Sequence, residues 1–433
     1  MSNMKRREFI KVAGAAGAAT GLGLMGMPMK AAAGGGHVIV IGGGYGGTIA
    51  AKYIRMADAG IKVTLIEQNR TYHSCPFSNT VIGGLNDIGF IEHTYDGLAS
   101  KHGVNIVHDT VTGIDAAKRT VTTVSGSTMS YDRLVVSPGI DFRYDTIEGY
   151  DEKASWQVPH AWKAGPQTSL LRAQLEAMPN GGTFVIATPP NPFRCPPGPY
   201  ERISLVANYF KNHKPNSKIV VLDSKDKFSK QGLFTAGWTK HYGYGTDDSM
   251  ITWVSKANDG TVKAVDADKR VAITEFSEHQ ADVLNVIPAQ KAGHIAHVAG
   301  LVDDSGWCPV DHKTFESTIH PNIHVIGDAS IASPLPKSGY AANSEAKVCA
   351  AAVVDLMNGR DVGTPAWVNT CYSLVTPNHG ISVAMVYDYT ADGKIGKVKG
   401  SGGLTPADGN NQMEAIYAQS WYANIMSDMF SGT

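Results

Sequence analysis

The chain has 433 residues, of which 43% are apolar and 18% charged, with a formal net charge of −1. Such a length supports two or three domains with their own cores. The neutral balance excludes a nucleic-acid partner held by a basic surface, because the cations that phosphate contacts need are missing.

In chain order, residues 1–33 read as an export signal and not as part of the fold. Arg6 and Arg7, followed by Glu8, Phe9, Ile10 and Lys11, look like a twin-arginine motif. A Gly/Ala-rich middle follows, and Ala31 and Ala33 fit a small-residue cleavage site, which puts the cut after Ala33. A membrane anchor is the alternative, but glycines interrupt the run and Leu, Ile and Val are scarce, so it would span a bilayer badly. The expected location is a bacterial periplasm. The twin-arginine route carries folded proteins and so hints at a bound cofactor.

His37–Asn69 is the most informative stretch. His37–Ile41 reads as a buried parallel strand, Thr48–Ala57 as a helix and Ile61–Ile66 as a second strand ending at Glu67. Gly42, Gly44 and Gly47 fit G-x-G-x-x-G. Gly42 makes the tight turn, Gly44 lets backbone approach a pyrophosphate, Gly47 lets the helix close on the strand, and Glu67 can bond a ribose. The helix N-terminus faces the phosphates. FAD and NAD both use this pattern. Tyr131–Ile140 is a strand running into the turn at Pro138 and Gly139, and it resembles the segment that closes the FAD domain of flavoprotein reductases. His320–Ser330 ends in Gly327-Asp328 and resembles their second FAD signature, in which the aspartate bonds the ribityl chain. Pro336–Leu356 reads as a helix whose start, around Lys337, Tyr340 and Ala341, would point N–H groups at a flavin ring.

Between these signals, Thr183–Thr188 reads as a strand, Tyr200–Asn212 as a helix with Pro199 in its first turn, and Lys218–Asp223 as the next strand. The intervening loop, residues 189–198, carries Pro189, Pro190, Pro192, Pro196 and Pro197 around Cys195. Prolines lack N–H groups, so this loop cannot wrap a pyrophosphate and NAD(P)H binding is not expected. The fold class is α/β: two Rossmann-like dinucleotide-binding domains of glutathione-reductase type plus a C-terminal α+β domain. The expected divisions are 34–147 and 289–360 for the FAD-binding domain, 148–288 for the inserted domain without its NAD(P) loop, and 361–433 for the C-terminal domain.

The five cysteines form no C-x-x-C and no C-x-x-C-H, so neither a thioredoxin-type site nor a c-type haem site is expected, and no cluster has metal-ligand spacing. Export makes disulfides permissible. Cys308 and Cys349 read as buried thiols.

TYHSCPFSN (Thr71–Asn79), RCPPGPYER (Arg194–Arg202) and NTCYSLV (Asn369–Val375) carry a closer resemblance. Along nearly all of its mature length the chain looks like the flavoprotein subunit of flavocytochrome c sulfide dehydrogenase, a relative of the sulfide:quinone oxidoreductases. That resemblance implies a thioether from Cys75 to the 8α-methyl of FAD and a redox-active disulfide between Cys195 and Cys371. It implies that hydrosulfide opens the bridge by thiol–disulfide exchange. An inert Cys75 and a purely structural disulfide are the alternatives. Glu201 could act as a general base or simply favour the helix dipole, and Lys337 could steer hydrosulfide, bond the flavin carbonyl or be a solvated lysine. Val111 joins the expected FAD contacts. The resemblance also implies a c-type cytochrome on another chain as electron acceptor. A sulfide:quinone oxidoreductase and a non-catalytic flavoprotein are the rivals.

From about Thr364 the chain reads as short strands with glycine turns, then a helix over Met413–Phe430. With Ile416, Tyr417, Trp421, Ile425 and Met429 spaced along it, this run reads as a packing helix covering the active site, with Trp421 near the flavin. A membrane-surface helix is the rival, but no Lys or Arg follows Lys399.

Overall fold

The computed structural model describes residues 35–431, so the expected export signal lies outside the described residues. The first βαβ unit consists of β1 (His37–Ile41), α1 (Gly47–Ala57) and β2 (Lys62–Ile66). Val38, Ile39 and Val40 are fully buried, as a strand covered on both faces requires. The turn leaves no room for side chains. A Cβ on Gly47 would lie 1.8 Å from the Gly42 carbonyl oxygen, and Gly42 itself holds φ +95°. β3 (Asn105–Val107), β4 (Arg133–Val136) and β5 (Ile140–Phe142) follow.

A second unit is built from β6 (Thr183–Thr188), α2 (Gly198–His213), β7 (Lys218–Asp223), α3 (Gln231–Tyr242), β8 (Ile251–Val254) and β9 (Val283–Val286). Its four strands pair in parallel in the order β8-β7-β6-β9. The chain then returns through β10 (Gln290–Ala292), antiparallel to β5, and β11 (Ile323–Val325). β11 completes the first sheet, in the order β11-β4-β1-β2-β3. The first sheet is therefore split in sequence around the second.

α4 (Gly339–Met357) packs against α1, and both buried faces are rich in alanine, which lets the helices approach closely. The C-terminal strands are longer than the sequence suggests. β12 (Ala366–Thr376) and β13 (His379–Tyr389) form one antiparallel hairpin of eleven residues per strand. No proline interrupts either strand, and most of the glycine turns lie beyond Tyr389.

α5 (Asn411–Met426), capped by Asn410, lies across this hairpin. The expected apolar stripe is corrected here. Ile425 and Met429 are buried, but Ile416 and Tyr417 are 52% and 50% exposed. Small residues decide which face goes in: Ala415 and Ala418 face inward with Tyr422, and a Cβ on Gly380 would sit 2.4 Å from the Ala415 nitrogen. A bulkier face could not approach the strand so closely. Among the described residues no helix is long and apolar enough to cross a membrane.

Candidate functional site

The first turn is prepared for a dinucleotide. Glu67, half-buried at the end of β2, accepts the Gly43 N–H through Oε2 at 2.7 Å and the Asn69 N–H through Oε1 at 2.8 Å. Gly44 has only the Tyr72 ring near its missing side chain, at 3.7 Å. Val111 is half-buried at the start of a short strand, Val111–Asp115, just past His108, whose ring contacts the Glu67 carbonyl. Pro138 and Gly139 form the turn between β4 and β5, where the Gly139 carbonyl accepts the Gly293 N–H.

The second signature meets this turn from the other half of the sheet. The Gly327 N–H donates to Glu345 Oε2 at 2.7 Å. Asp328 Oδ1 is buried with no hydrogen-bond partner, and Oδ2 lies 3.9 Å from Arg194 Nη1. An unpaired buried carboxylate oxygen costs about 1–3 kcal/mol or more, so the site fits a hydroxyl-bearing ligand such as the ribityl chain of FAD.

Two expectations at the α4 start are corrected. Lys337 is neither solvated nor aimed at the sulfurs: its Nζ donates to the Asp328 and Ser330 carbonyls at 2.7 and 2.8 Å and sits 3.8 Å from the Trp307 ring centre. The Ala341 N–H is already held by the capping hydroxyl of Ser338. Tyr340 is half-buried with its ring 6.2 Å from that of Trp421. Trp421 also approaches Tyr372, at 6.4 Å, and its indole nitrogen is buried and unpaired.

Cys75 follows β2 and is half-buried. Its sulfur accepts from Arg194 Nη2 at 3.1 Å, and the same guanidinium bonds the Trp162 carbonyl. Arg194 thus touches Cys75 and lies beside Asp328 and Gly139. Sequence reasoning passed over it; the available signal was an arginine in a proline-rich apolar loop, directly before Cys195.

In the second unit, the place corresponding to Glu67 is taken by Asp223, which is fully buried. Thr188, Tyr200 and Trp253 donate to it at 2.7, 2.7 and 3.0 Å, and Lys225 pairs with it at 2.8 Å. Tyr200 stacks on Phe228 with ring centres 3.7 Å apart. No lone pair of this carboxylate is offered to a ribose.

Cys195 sits in the loop before α2 with φ +86°, a strained value for a non-glycine residue. Its N–H donates to the Lys337 carbonyl at 2.7 Å. Next to Lys337, the Ser338 hydroxyl donates to Asn369 Oδ1 at 2.6 Å, and the Cys371 thiol on β12 reaches the same oxygen at 3.5 Å. This chain of contacts ties both half-buried cysteines to the α4 start, and the Cys371 charge bears on the Cys195 thiol. All five cysteines are free thiols in this structure, so no bond joins Cys195 to Cys371. Burial, and then the negative potential of Cys371 and Glu201, push the Cys195 thiol up; burial also raises Cys371, with the Lys230 ammonium opposing. Glu201 accepts from Asn79 Nδ2 at 2.9 Å and from the Leu374 N–H at 2.8 Å, and burial raises its pKa despite both donors. Asn79, Lys230 and Asn369 had no sequence signal beyond lying near a cysteine motif or a helix start. Cys308 and Cys349 are fully buried away from solvent.

Paired parallel sheets around a split first unit, with a half-buried sulfur pair beside a dinucleotide turn, define the pyridine nucleotide-disulphide oxidoreductase class. The family model of that name matches residues 36–165. Two narrower models match the rest: "Sulfide dehydrogenase (flavocytochrome c) flavoprotein chain, central" over 168–288, and "Flavocytochrome c sulphide dehydrogenase, flavin-binding" over 363–430. The chain belongs to the flavocytochrome c sulfide dehydrogenase flavoprotein family, which is related to the sulfide:quinone oxidoreductases. A twin-arginine signal model matches residues 3–23. Among relatives, the mitochondrial sulfide:quinone oxidoreductase of Mus musculus is 23% identical, covering 82% of this chain and 78% of that protein. A sulfide dehydrogenase flavoprotein chain of Chlorobaculum thiosulfatiphilum is 51% identical over 45 residues, which is 10% of this chain and 94% of that sequence. The solved sulfide:quinone oxidoreductase of Aquifex aeolicus superposes with a TM-score of 0.70 at 18% identity, covering 91% of this chain and 92% of that one.

Proposed function

We propose that the chain is the flavoprotein subunit of a periplasmic sulfide dehydrogenase, oxidising sulfide at Cys195 and Cys371 and passing electrons through FAD to a c-type cytochrome on another chain. The observation that carries this reading is the placement of two half-buried sulfurs, next to Glu201 and Lys230, in the loop and strand beside the Cys75–Arg194–Asp328 cluster. The twin-arginine match supports export.

Gly42, Gly44 and Gly47 with the α1 N-terminus would hold the pyrophosphate, Glu67 the ribose, and Asp328 the ribityl chain, with Cys75 as covalent tether and Val111, Pro138, Gly139, Gly327 and Tyr340 lining the site. When bound, FAD supplies a two-electron acceptor that can be emptied one electron at a time. Hydrosulfide attacks one sulfur of the oxidised pair; the S–S bond breaks, a persulfide forms on the attacked cysteine, and its partner leaves as thiolate. Glu201, with its pKa raised by burial, would exchange the proton of the incoming sulfur species.

Two experiments test this. In an anaerobic titration, sulfide should bleach the flavin, and adding oxidised cytochrome c should restore it. Cys195→Ser and Cys371→Ser should keep flavin but bleach about a hundredfold more slowly or worse, given the usual weight of a covalent step. Full activity in either variant argues for a structural sulfur pair. Reoxidation by decylquinone and not by cytochrome c would favour the quinone reading, which the exposed Met413, Ile416 and Tyr417 of α5 also support. For the tether, acid-denatured protein should stay yellow; flavin released to the supernatant refutes attachment through Cys75.

A further inference from the structure

Lys230 occupies a position that local rules disfavour. It is the residue preceding α3, the N-cap, where Ser, Thr, Asp or Asn is normally found. Its backbone is left-handed, at φ +60°. A cation there also faces the positive end of the helix dipole. The side chain is nonetheless almost completely buried, at 5% exposure. Three local penalties held together in one residue point to a use for the ammonium itself.

The ammonium's surroundings narrow that use. Nζ donates to Ser373 Oγ at 3.0 Å, to the Cys371 carbonyl at 3.3 Å and to the Ile381 carbonyl at 3.5 Å, all neutral oxygens on the β12–β13 hairpin. Among the described residues no carboxylate comes within 4.0 Å of it. Glu201, the carboxylate whose charge bears on it most, spends its oxygens on Asn79 and the Leu374 N–H. The groups whose charge bears on it are Cys371, Glu201 and Cys195, and more weakly Glu414 of α5. Cys195 additionally faces Asp328, and Cys371 faces Ser338 and Asn369. A buried cation with no contacting anion is costly, and it becomes favourable when a negative sulfur appears beside it.

We propose that Lys230 is a positioning residue of the sulfur pair: a fixed buried counter-charge that stabilises the thiolate released when hydrosulfide opens the Cys195–Cys371 bridge. The inference rests on the sulfide dehydrogenase reading above. The step balances without further reactants. Hydrosulfide carries one negative charge in, one S–S bond breaks, one S–S bond forms in the persulfide, and the negative charge ends on the departing sulfur, within the field of the Lys230 ammonium. Arginine can replace the charge; methionine cannot.

The test uses the reduced holoprotein. Iodoacetamide labelling of Cys195 and Cys371 is followed by mass spectrometry across a pH series, alongside sulfide bleaching of the flavin. Because alkylation follows the thiolate, Lys230→Met should move the labelling midpoint up by about one pH unit, slowing labelling about tenfold near neutrality. Lys230→Arg should stay close to wild type, and Ser373→Ala, which keeps the charge but loosens its seat, should shift the same way by less. A wild-type labelling profile in Lys230→Met overturns the proposal; if that variant does not fold, an unshifted profile in Ser373→Ala overturns it. A labelling shift in protein whose wild-type flavin is not bleached by sulfide would leave the counter-charge standing and remove the sulfide reading instead.

Discussion

Glu345 shows how one residue ties the flavin signature to stability. It is buried on α4, accepts the Gly327 N–H at 2.7 Å and the Ser330 hydroxyl at 3.3 Å, and burial pushes its pKa up to about 8. A raised folded pKa means that the folded state keeps a proton the unfolded chain would lose. The contribution to stability is then fully present below the unfolded value of about 4.3 and fades as pH rises through the folded value. Wild-type Tm is expected to fall from about pH 5 to pH 8 through this group, and Glu345→Gln should flatten that slope. Parallel Tm curves for the two proteins would show that Glu345 is not the source. Residue roles of this kind were poorly legible in the sequence. Cys195, Cys371 and Glu201 stood out by motif, but Arg194 and Lys230 acquire their neighbours only from segments far away in the chain, Cys75 and Asp328 for the first and the Cys371 strand for the second.

At the scale of elements, the β6–loop–α2 unit keeps the frame of a nucleotide-binding motif with prolines and Cys195 in its turn. Its strand and helix were readable from period and turn chemistry, and β6 and β7 match the expected bounds residue for residue. The prolines of the loop predicted a missing phosphate cradle. The filled Asp223 pocket gives a second, independent cause, because a ribose would have to displace Tyr200, Trp253, Thr188 and Lys225 from one buried carboxylate. NADH and NADPH at millimolar concentration, around the top of the usual KM range, are therefore expected neither to bleach the flavin nor to raise Tm. Bleaching by either nucleotide would mean that the loop rearranges to admit it. The C-terminal elements were read less well. Alternation and glycines indicated strands, but strand length depends on pairing across the hairpin, and the buried face of α5 depends on how closely that hairpin lets it approach.

For the whole molecule, the C-terminal end acts as a clasp on the first sheet unit. After α5 the chain tightens into a π turn, Ser427–Ser431, and Asp428 receives Lys52 and Tyr53 of α1 at 3.3 and 3.2 Å and Lys347 of α4 at 2.9 Å. Phe430 packs among Tyr72, His93 and Tyr95, with ring centres 5.1–5.7 Å away, beside the Gly43 turn that Tyr95 bonds. A helix that begins over the Cys371 strand thereby ends over the dinucleotide turn. The sequence by itself determined the fold class, the first dinucleotide turn and the substitution of cysteine and prolines for the second, because each is written in local spacing: a glycine pattern, a period of two or of 3.6, a missing N–H. Only the tertiary structure decided that Asp223 is spent internally, that Lys337 turns away from the sulfurs, that Arg194 spans Cys75 and Asp328, and that Lys230 lies under Cys371. These are contacts between residues remote in sequence, and their energies depend on burial and distance, which no local pattern encodes.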